Sequence, residues 1–513
     1  MPVLVRVALA ALAGGLAALA FEPFAHVVAL PLALALLSGV LAGVPTRRAG
    51  RRGFWIATAF GAAYMIALLP WLHVVTPLWP LIALAEAPLI GLTGVVATAF
   101  PRRWWWPALV AAAWTTAEVL RSTWPLGGFP WGRVGFGVVD SPFAALLPWI
   151  GVTGTTFVVA LLGATLGWAA VTVRHRPVPA VGAVGTALVV ATAAAWLPVD
   201  PAGGVRDEGL VRVAAVQGNT PGVGLSAMAE RRQVLDNHVR ATLDLAAEVD
   251  RGSTPRPDLV VWPENSSDID PFRDAAAYAA VSGAAISVGA PLVMGTAVSE
   301  GAGWRNRFQL WEADGEPTAH YDKRKAVPFG EYVPFRSLLE PIVPALDQIP
   351  RDMLPGEDPG VMTLADIPVG VITCYEVAYA PLVTDLADSG AQVLLVPTNN
   401  ATYMGTAQVE QQFAMARLTA LTTSRTVVVV STNGVSGLVA PDGSVVERAP
   451  VRTTHVLLSD VAPRVGLTPA VRLATVWTFL FTAPGAAALI GAFVLLRRGR
   501  RTPSDPAVAE ARA

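Results

Sequence analysis

The chain has 513 residues, of which 53% are hydrophobic and only 15% are charged, and its formal net charge is −1. Soluble domains usually carry about 25% charged residues, so this composition predicts membrane segments beside a polar domain. The near-neutral charge gives no basic surface for nucleic acid, and the single cysteine excludes a disulfide within the chain.

Eight apolar runs have the length of transmembrane helices, which need about 20 mostly apolar residues. Seven lie within residues 1–200 and one lies near the C-terminus: 3–21, 27–44, 54–72, 78–100, 104–121, 143–173, 179–198 and 474–496. The run 143–173 is long for one crossing, which predicts either a tilted span or a break near Gly151 and Gly154. We therefore expect a multi-span α-helical membrane domain over 1–200 and an eighth span at 474–496.

Arginines are concentrated in alternate connections between these runs, after the second, fourth, sixth and eighth: Arg47, Arg48, Arg51, Arg52, Arg102, Arg103, Arg174, Arg176, Arg497, Arg498, Arg500 and Arg501. Basic connections remain on the cytoplasmic side of a membrane. With eight spans, both termini and a basic, then disordered tail over 497–513 are predicted to be cytoplasmic. The polar segment 205–465 is then extracytoplasmic.

The connection 122–142 is rich in glycine and aromatic residues and lies on the predicted side of the polar segment. Two interpretations are open: an ordinary interfacial loop, or a part of a lipid entrance. Glu86 and Glu118 are acidic residues inside predicted spans, where such residues often mark a transport pathway. A position near the interface or a local ion pair is the simpler alternative.

The polar segment alternates β-branched runs with helical stretches. Strands are predicted at 210–217, 258–263, 285–296, 306–312, 367–374, 391–397, 426–433 and 436–440. Helices are predicted at 226–249, 272–282, 379–388 and 407–424. Fully apolar strands such as 393–396 and 427–430 are typical of a sheet that is covered on both faces. The pattern predicts a layered α/β sandwich.

Three segments carry reactive side chains: Glu264 and Cys374 each end a predicted strand, and Lys323 lies between them in a charged run. A thiol with a pKa of about 8.5 needs activation at neutral pH. A lysine can lower the thiol pKa and stabilise an oxyanion, and a glutamate can act as general base. On the residues alone, an inert core cysteine, a surface acid and an exposed cation remain as alternatives, and the spacing does not bring the three together.

Motifs in the polar segment resemble the nitrilase (carbon–nitrogen hydrolase) superfamily, and the whole chain is similar to the apolipoprotein N-acyltransferase family. The matching segments are 129–131, 215–219, 261–264, 322–334, 374–376, 399–401, 416–417 and 432–434. The run Val-Pro-Phe-Gly-Glu-Tyr-Val-Pro at 327–334 is highly specific. The chain departs from the family at 400–405, where Asn-Ala-Thr-Tyr-Met-Gly stands in place of Asn-Asp-Ala-Trp-Phe-Gly.

The resemblance implies an αββα nitrilase-like fold for 205–465 and roles for six residues, three catalytic and three supporting: Glu264, Lys323, Cys374, Glu331, Tyr375 and Glu376. By motif, Glu264 is the base, Lys323 the oxyanion-stabilising cation and Cys374 the nucleophile. Lys323 is preferred to Lys325 because it follows the Tyr-Asp pair eight residues before Glu331. Tyr375 is implied to offer its backbone N–H to the oxyanion.

The resemblance also implies a multi-pass enzyme of a bacterial cytoplasmic membrane. Its acyl donor is a phospholipid, its intermediate is a cysteine thioester, and its acceptor is the N-terminal amine of a diacylglyceryl-cysteine apolipoprotein. No metal or cofactor is implied, and a separate polyprenyl-phosphate sugar transferase is a conceivable partner. Two rival functions stay open: a membrane-tethered nitrilase-type amidohydrolase acting on a small amide, and a non-enzymatic transporter or receptor with a degenerate domain.

Overall fold

The computed structural model describes residues 1–44, 49–202, 204, 209–220, 222, 232–341, 343, 346–347 and 349–498. Helices form the N-terminal part of this described chain. They are α1 (Val3–Ala18), α2 (Ala29–Ala42), α3 (Ala49–Leu68), α4 (Trp79–Ala99), α5 (Trp106–Arg121), α6 (Leu147–Thr172) and α7 (Pro177–Ala194). Each predicted span before residue 200 coincides with one of these helices.

Close packing between the N-terminal helices depends on small residues. Helices α3 and α4 cross at Gly53 and Gly94, where a Cβ on either residue would overlap the carbonyl oxygen of the other. Such contacts let helix backbones approach closely where lipid offers little hydrophobic driving force. Helix α6 is kinked at Gly151, whose backbone is non-helical with φ 64° and ψ −176°. The predicted break in the long sixth run is therefore confirmed at Gly151.

The polar segment forms two six-stranded sheets. The first has the order β12-β1-β2-β3-β4-β5 and the second the order β11-β10-β9-β8-β7-β6. The strands of the first sheet are β1 (Val211–Gln217), β2 (Leu259–Val261), β3 (Leu292–Glu300), β4 (Gly303–Trp311), β5 (Pro317–Asp322) and β12 (His455–Val461). The strands of the second are β6 (Val361–Leu364), β7 (Ile367–Val371), β8 (Val393–Thr398), β9 (Val427–Ser431), β10 (Gly437–Val439) and β11 (Val445–Arg448).

The two sheets pack face to face through alternate side chains of each strand. In β1, Val213 and Ala215 point into the core between the sheets, whereas Ala214 and Val216 point outward to helices. In β9, Val428 and Val430 likewise point inward. This is the two-residue period of a strand that is covered on both faces. Each such buried valine contributes about 1.5–3 kcal/mol relative to an exposed one.

Helices cover the outer face of each sheet and complete an αββα sandwich. They are α8 (Gln233–Asp250), α9 (Ala275–Val288), α11 (Ala380–Asp388) and α12 (Ala407–Thr423), whereas the four-residue helix α10 (Arg336–Leu339) buries none of its residues. The first sheet packs on α8 and α9, and the second on α11 and α12. The core under α11 and α12 is continuous with that of the N-terminal helices. The polar domain therefore sits directly on the helical domain.

The chain leaves the sandwich through α13 (Pro469–Arg472) and α14 (Ala474–Arg498). Helices α4, α6, α7 and α14 are long and apolar enough to cross a membrane, and α1 and α2 are apolar but shorter. Composition and length thus support four membrane-crossing helices among the described residues. The count of eight spans stays a prediction.

Several predicted boundaries need correction. The strand predicted at 285–296 is wrong over its first seven residues, because α9 continues to Val288, its C-cap Gly289 has a left-handed backbone, and β3 begins only at Leu292. Strands β5, β6, β11 and β12 were not predicted. The predicted helices 379–388 and 407–424 agree with α11 and α12 within one residue at each end. Residues 226–231, Arg47, Arg48 and 499–513 lie outside the described residues.

Candidate active site

The predicted catalytic side chains come from both sheets of the sandwich. Glu264 lies just beyond the carboxyl end of β2, and Lys323 directly follows β5, in the first sheet. Cys374 lies just beyond the carboxyl end of β7, in the second sheet, and begins a 3₁₀ helix, Cys374–Ala378. Carboxyl ends of parallel strands are the usual location of a site in such sheets. The sandwich therefore brings three distant segments to one edge.

Lys323 is the centre of a buried cluster of charges. Its Nζ donates to Glu331 Oε1 at 2.7 Å and to Glu264 Oε1 at 3.1 Å. The amide of Asn306 bridges the same two carboxylates, with its Nδ2 2.8 Å from Glu264 and 3.3 Å from Glu331. The backbone N–H of Asn399 donates to Glu264 Oε2 at 3.0 Å. Glu264 is thus fixed by donors from three segments.

The charge of Lys323 is maintained by its two carboxylate partners. Burial by itself lowers the pKa of the ammonium, but the carboxylates of Glu264 and Glu331 raise it more, and the pKa lies well above its ordinary value. The lysine at this position is therefore a fixed cation. Lys325 is elsewhere, with its Nζ 5.5 Å from the ring centroid of Tyr379. The choice of Lys323 over Lys325 agrees with this geometry.

Cys374 is held in an uncommon backbone conformation. Its φ of 49° is in the left-handed region, which costs a non-glycine residue of order 1 kcal/mol and is found at sharp turns that present a side chain. Burial, followed by the negative charge of Glu264, raises the pKa of the Cys374 thiol to about 12, against the lowering effects of Lys323 and a hydrogen bond with Thr398. The thiol is therefore protonated in the resting protein, and the charges of Glu264 and Lys323 both act on it.

Glu376 is fully buried and accepts hydrogen bonds from the backbone and side chain around it. Its carboxylate receives the backbone N–H groups of Arg324 (2.7 Å), Lys325 (2.9 Å) and Thr373 (3.1 Å) and the hydroxyl of Tyr321 (2.8 Å). Four donors saturate this buried carboxylate. Glu376 therefore ties the turn after Lys323 to the turn that holds Cys374.

Tyr375 joins the site to the connection 122–142. Its ring is nearly parallel to that of Trp131, with centroids 6.4 Å apart, and its hydroxyl donates to Gly128 O at 3.3 Å. The hydroxyl of Tyr379 donates to the same carbonyl at 3.0 Å. Among the described residues, no protein acceptor takes the backbone N–H of Tyr375. That N–H remains available at the turn beside the thiol.

The acidic residues of the predicted spans pair locally. Glu118 accepts from Val134 N (2.8 Å) and lies 3.7 Å from Arg133, and Glu86 lies 3.4 Å from Arg121. Arg121 in turn donates to the carbonyl oxygens of Phe129 (2.7 Å) and Trp131 (2.8 Å). These buried pairs join the connection 122–142 to the helical domain, and Tyr375 and Tyr379 join it to the polar domain. The connection 122–142 therefore packs against the turn that follows Cys374.

Two residues beside the catalytic side chains were given no role from the sequence. Asn306 is fully buried in β4, and Thr398 ends β8 beside the thiol. Their only signal in the sequence was a polar side chain within or at the end of an apolar strand. At the departure from the family motif, Tyr403 packs edge-on against Trp71 of the helical domain, with centroids 5.6 Å apart. The site is therefore walled by both domains.

Comparisons with known proteins agree with this architecture. Residues 13–165 match the apolipoprotein N-acyltransferase N-terminal domain, and residues 212–470 match the carbon–nitrogen hydrolase family. The chain is 37% identical to "Apolipoprotein N-acyltransferase" of Mycolicibacterium smegmatis, over 96% of this chain and 86% of the relative. It is 32% identical to the protein of the same name from Pseudomonas aeruginosa, over 90% and 91% of the two chains.

Among solved structures, the crystal structure of an amidase from Nesterenkonia sp. is similar, at 20% identity and a TM-score of 0.35. The match covers 50% of this chain and 92% of the amidase, and it is too remote to support an argument about substrate. The family-model matches and the full-length relatives carry the assignment. The chain belongs to the apolipoprotein N-acyltransferase family and, through residues 212–470, to the carbon–nitrogen hydrolase superfamily.

Proposed function

We propose that this protein transfers an acyl chain from a membrane phospholipid, through a thioester on Cys374, to the N-terminal amine of a diacylglyceryl-cysteine apolipoprotein. The observation that carries the proposal is the buried Lys323 between Glu264 and Glu331, whose charges act on the Cys374 thiol. A base, a fixed cation and a thiol are the groups that acyl transfer needs. Membership of the family supplies the substrate classes.

In the first half-reaction, Glu264 takes the proton of the Cys374 thiol as the sulfur attacks an ester carbonyl of the phospholipid. A C–S bond forms, the ester C–O bond breaks, and Glu264 returns the proton to the departing lysophospholipid oxygen. A base is required because the thiol pKa of about 12 leaves little thiolate in the resting enzyme.

In the second half-reaction, the α-amine of the apolipoprotein attacks the thioester carbonyl. Glu264 accepts a proton from the amine nitrogen, a C–N bond forms, the C–S bond breaks, and the proton returns to Cys374. The products are an amide and the free thiol. The enzyme is thereby restored without a cofactor or a redox step.

Both half-reactions pass through a negatively charged oxygen. We assign its stabilisation to the ammonium of Lys323 and to the backbone N–H of Tyr375. Glu331 is a positioning residue, since one of its oxygens holds Lys323 at 2.7 Å and the other accepts from Val327 N at 2.8 Å. Glu376 is also a positioning residue, because it fixes the turns that carry the lysine and the cysteine. Preformed donors of this kind commonly contribute about 10²–10³ in rate.

The topology belongs to the same proposal. We propose a membrane domain of seven spans over 1–200, a catalytic domain over 205–465, an eighth span at 474–496 and a cytoplasmic tail over 497–513. The alternating arginines support a cytoplasmic location for both termini and an extracytoplasmic site in a bacterial cytoplasmic membrane. Contact between the sandwich and the helical domain supports a site at the membrane surface, where two lipid substrates meet it. A polyprenyl-phosphate sugar transferase would be a separate partner.

The rival amidohydrolase shares the three catalytic groups and differs in its substrates. It predicts release of ammonia or an amine from a small amide and needs no lipid. The aromatic connection 122–142, packed on Tyr375 and braced by buried ion pairs, favours a lipid substrate. The family assignment favours transfer to an amine.

The test is mass spectrometry of the intact protein, incubated first with phospholipid and then with a diacylated lipopeptide. We expect an acyl increment on Cys374 that persists in buffer and is discharged by the lipopeptide amine. Cys374→Ala should give neither the increment nor N-acylated lipopeptide, whereas the exposed-residue control Glu248→Gln should behave as wild type. N-acylation by Cys374→Ala, or discharge of the increment by water alone, would overturn the proposal.

A further inference from the structure

Helix α12 buries three glutamines that lie three and four residues apart, and hence on one side of the helix: Gln408, Gln411 and Gln412. Glutamine is seldom buried unless its amide is hydrogen-bonded. Gln408 and Gln412 find a partner inside the polar domain, where both accept from Nδ2 of Asn400, at 3.2 and 2.6 Å. Gln411 instead reaches out of the polar domain, and the acyl-transfer steps give it no role.

The side-chain amide of Gln411 is hydrogen-bonded to the helical domain. Its Oε1 accepts from Nε1 of Trp131 at 2.7 Å and from Nε1 of Trp71 at 3.2 Å. Its Nε2 donates to the backbone oxygen of Glu22 at 2.9 Å. An amide oxygen has two lone pairs, and the two indoles use both. One atom of the polar domain thus holds two tryptophans of the helical domain.

The two tryptophans pass this restraint to rings beside Cys374. The ring of Trp131 lies within 8° of parallel to that of Tyr375, and Trp71 packs edge-on against Tyr403 with centroids 5.6 Å apart. The two indoles also contact each other, with centroids 5.2 Å apart. Tyr375 directly follows Cys374 in the chain. Burial, and then the negative charge of Cys374 as a thiolate, raise the pKa of Tyr403. Two ring contacts thus lead from one amide to two neighbours of the sulfur.

These four rings form what we call the aromatic layer: Trp71, Trp131, Tyr375 and Tyr403. The indole side of the layer is dry, since Trp131 is 1% exposed and Trp71 is 5% exposed. In such a place an indole N–H that loses its acceptor is an unsatisfied buried donor, which drives the ring to turn towards another acceptor. Removing the amide oxygen of Gln411 strands two such donors at once. The position of the aromatic layer therefore depends on that oxygen.

We propose that Gln411 is a positioning residue of the active site: its amide locks the aromatic layer against Cys374 and so limits the access of water to the sulfur and to its thioester. Water that reached the thioester would attack the acyl carbonyl, forming a C–O bond as the C–S bond breaks. A free fatty acid would then leave in place of the amide product. The effect on the thioester rests on the proposed acyl transfer, whereas the effect on the free thiol does not.

The first measurement is the rate at which iodoacetamide, a small water-soluble reagent, alkylates Cys374 in the full-length protein in detergent. Cys374 is the one cysteine of the chain, so a single mass increment reports on it. Gln411→Met keeps the length of the side chain and removes its acceptor, and we expect alkylation at least fivefold faster than in the wild type. The rates of the two proteins should rise in parallel from pH 7 to pH 10, because access to the thiol changes and its pKa does not. A merely structural defect would instead add a fast-reacting unfolded fraction and leave the rate of the folded majority unchanged.

Two further variants of α12 separate this role from general packing. Gln411→Glu keeps an oxygen that accepts from both indoles, so it should restore most of the protection of Cys374. Glu410→Met removes a surface ion pair with Arg448 at the neighbouring position and should react as the wild type does. An acceleration of less than fivefold in Gln411→Met, or one in Gln411→Glu that is as large, would overturn the proposal.

The second measurement is the rate at which the acyl increment on Cys374 is lost in buffer without lipopeptide. We expect free fatty acid to appear at least fivefold faster from Gln411→Met than from the wild type. The rate is taken per acylated molecule, so a smaller active fraction does not change it. Equal rates would overturn the effect on the thioester. A wild type that forms no acyl-enzyme would refute the acyl-transfer proposal alone, because the alkylation of Cys374 needs no lipid substrate.

Discussion

Glu264→Gln should separate a general base from a merely electrostatic neighbour of the thiol. The substitution keeps an oxygen able to accept from Asn306 and leaves Lys323 paired with Glu331 at 2.7 Å, so the fold should persist. It removes the only group that we have assigned to take the proton of Cys374. The perturbation is therefore chemical, with the geometry of the cluster kept.

The expected magnitude follows from the environment of the thiol. With a pKa of about 12, Cys374 is ionised at pH 8 in about one molecule in ten thousand, whereas an ordinary cysteine with a pKa of about 8.5 is ionised in about one in four. At pH 8 the thiolate of Cys374 would thus be scarcer than that of an ordinary cysteine by a factor on the order of 10³. General bases typically contribute about 10²–10⁴ in rate, which is the loss we expect for Glu264→Gln at pH 7.

The assay is the rate at which the acyl increment appears on Cys374, measured from pH 7 to pH 10. Without the base, attack requires thiolate formed by solvent, so the rate of Glu264→Gln should rise about tenfold per pH unit below the thiol pKa. The wild-type rate should change much less, because its proton goes to Glu264. Equal pH profiles for the two proteins, or a loss of less than about tenfold at pH 7, would refute the assignment. Glu248→Gln is the matched surface control.

Three further predictions concern the residues around the catalytic cluster. Glu376→Gln should lower the free energy of unfolding by about 3 kcal/mol, because four donors lose a charged acceptor, and a thermal melt with an unchanged midpoint would contradict this. Tyr375→Phe keeps the backbone N–H and loses only the hydroxyl bond to Gly128, so acyl-enzyme formation should slow by less than about tenfold; a complete loss would place the function in the hydroxyl. Glu118→Gln should lower the free energy of unfolding by about 3–5 kcal/mol, because Arg133 stays charged and buried. Adding Arg133→Gln should recover part of that loss in thermal unfolding in detergent. Identical melts for the two variants would show that the pair is not coupled.

Agreement between the sequence and the fold was best where a single local pattern decided the outcome. The apolar runs predict helices because a membrane-length apolar segment satisfies its backbone hydrogen bonds within itself. The valine-rich runs at 393–396 and 427–430 predict buried strands for the same local reason. Prediction failed at 285–288, where Ala-Ile-Ser-Val suits a strand or a helix equally. The overlooked signal was Gly289, which is the C-cap residue of α9 and has a left-handed backbone.

The unpredicted strands have a different cause. Strand β11 is exposed along its whole length, and β5 is exposed over half of its residues, because both lie at sheet edges. These two strands lack the alternation that burial imposes, so their sequences resemble loops. Neighbouring strands and not the strand's own residues determine such elements.

By itself, the sequence determined the apolar helices and the layered α/β domain and predicted which side chains are reactive, since those depend on local composition and on motifs. Only the tertiary structure decided that Lys323 lies between Glu264 and Glu331, that Glu376 ties together the turns of Lys323 and Cys374, and that the acids of the helical domain brace the connection 122–142. The partners in these contacts are often dozens of residues apart in the chain. Their meeting depends on how two sheets pack on each other and on the helices beneath them, which no local pattern contains.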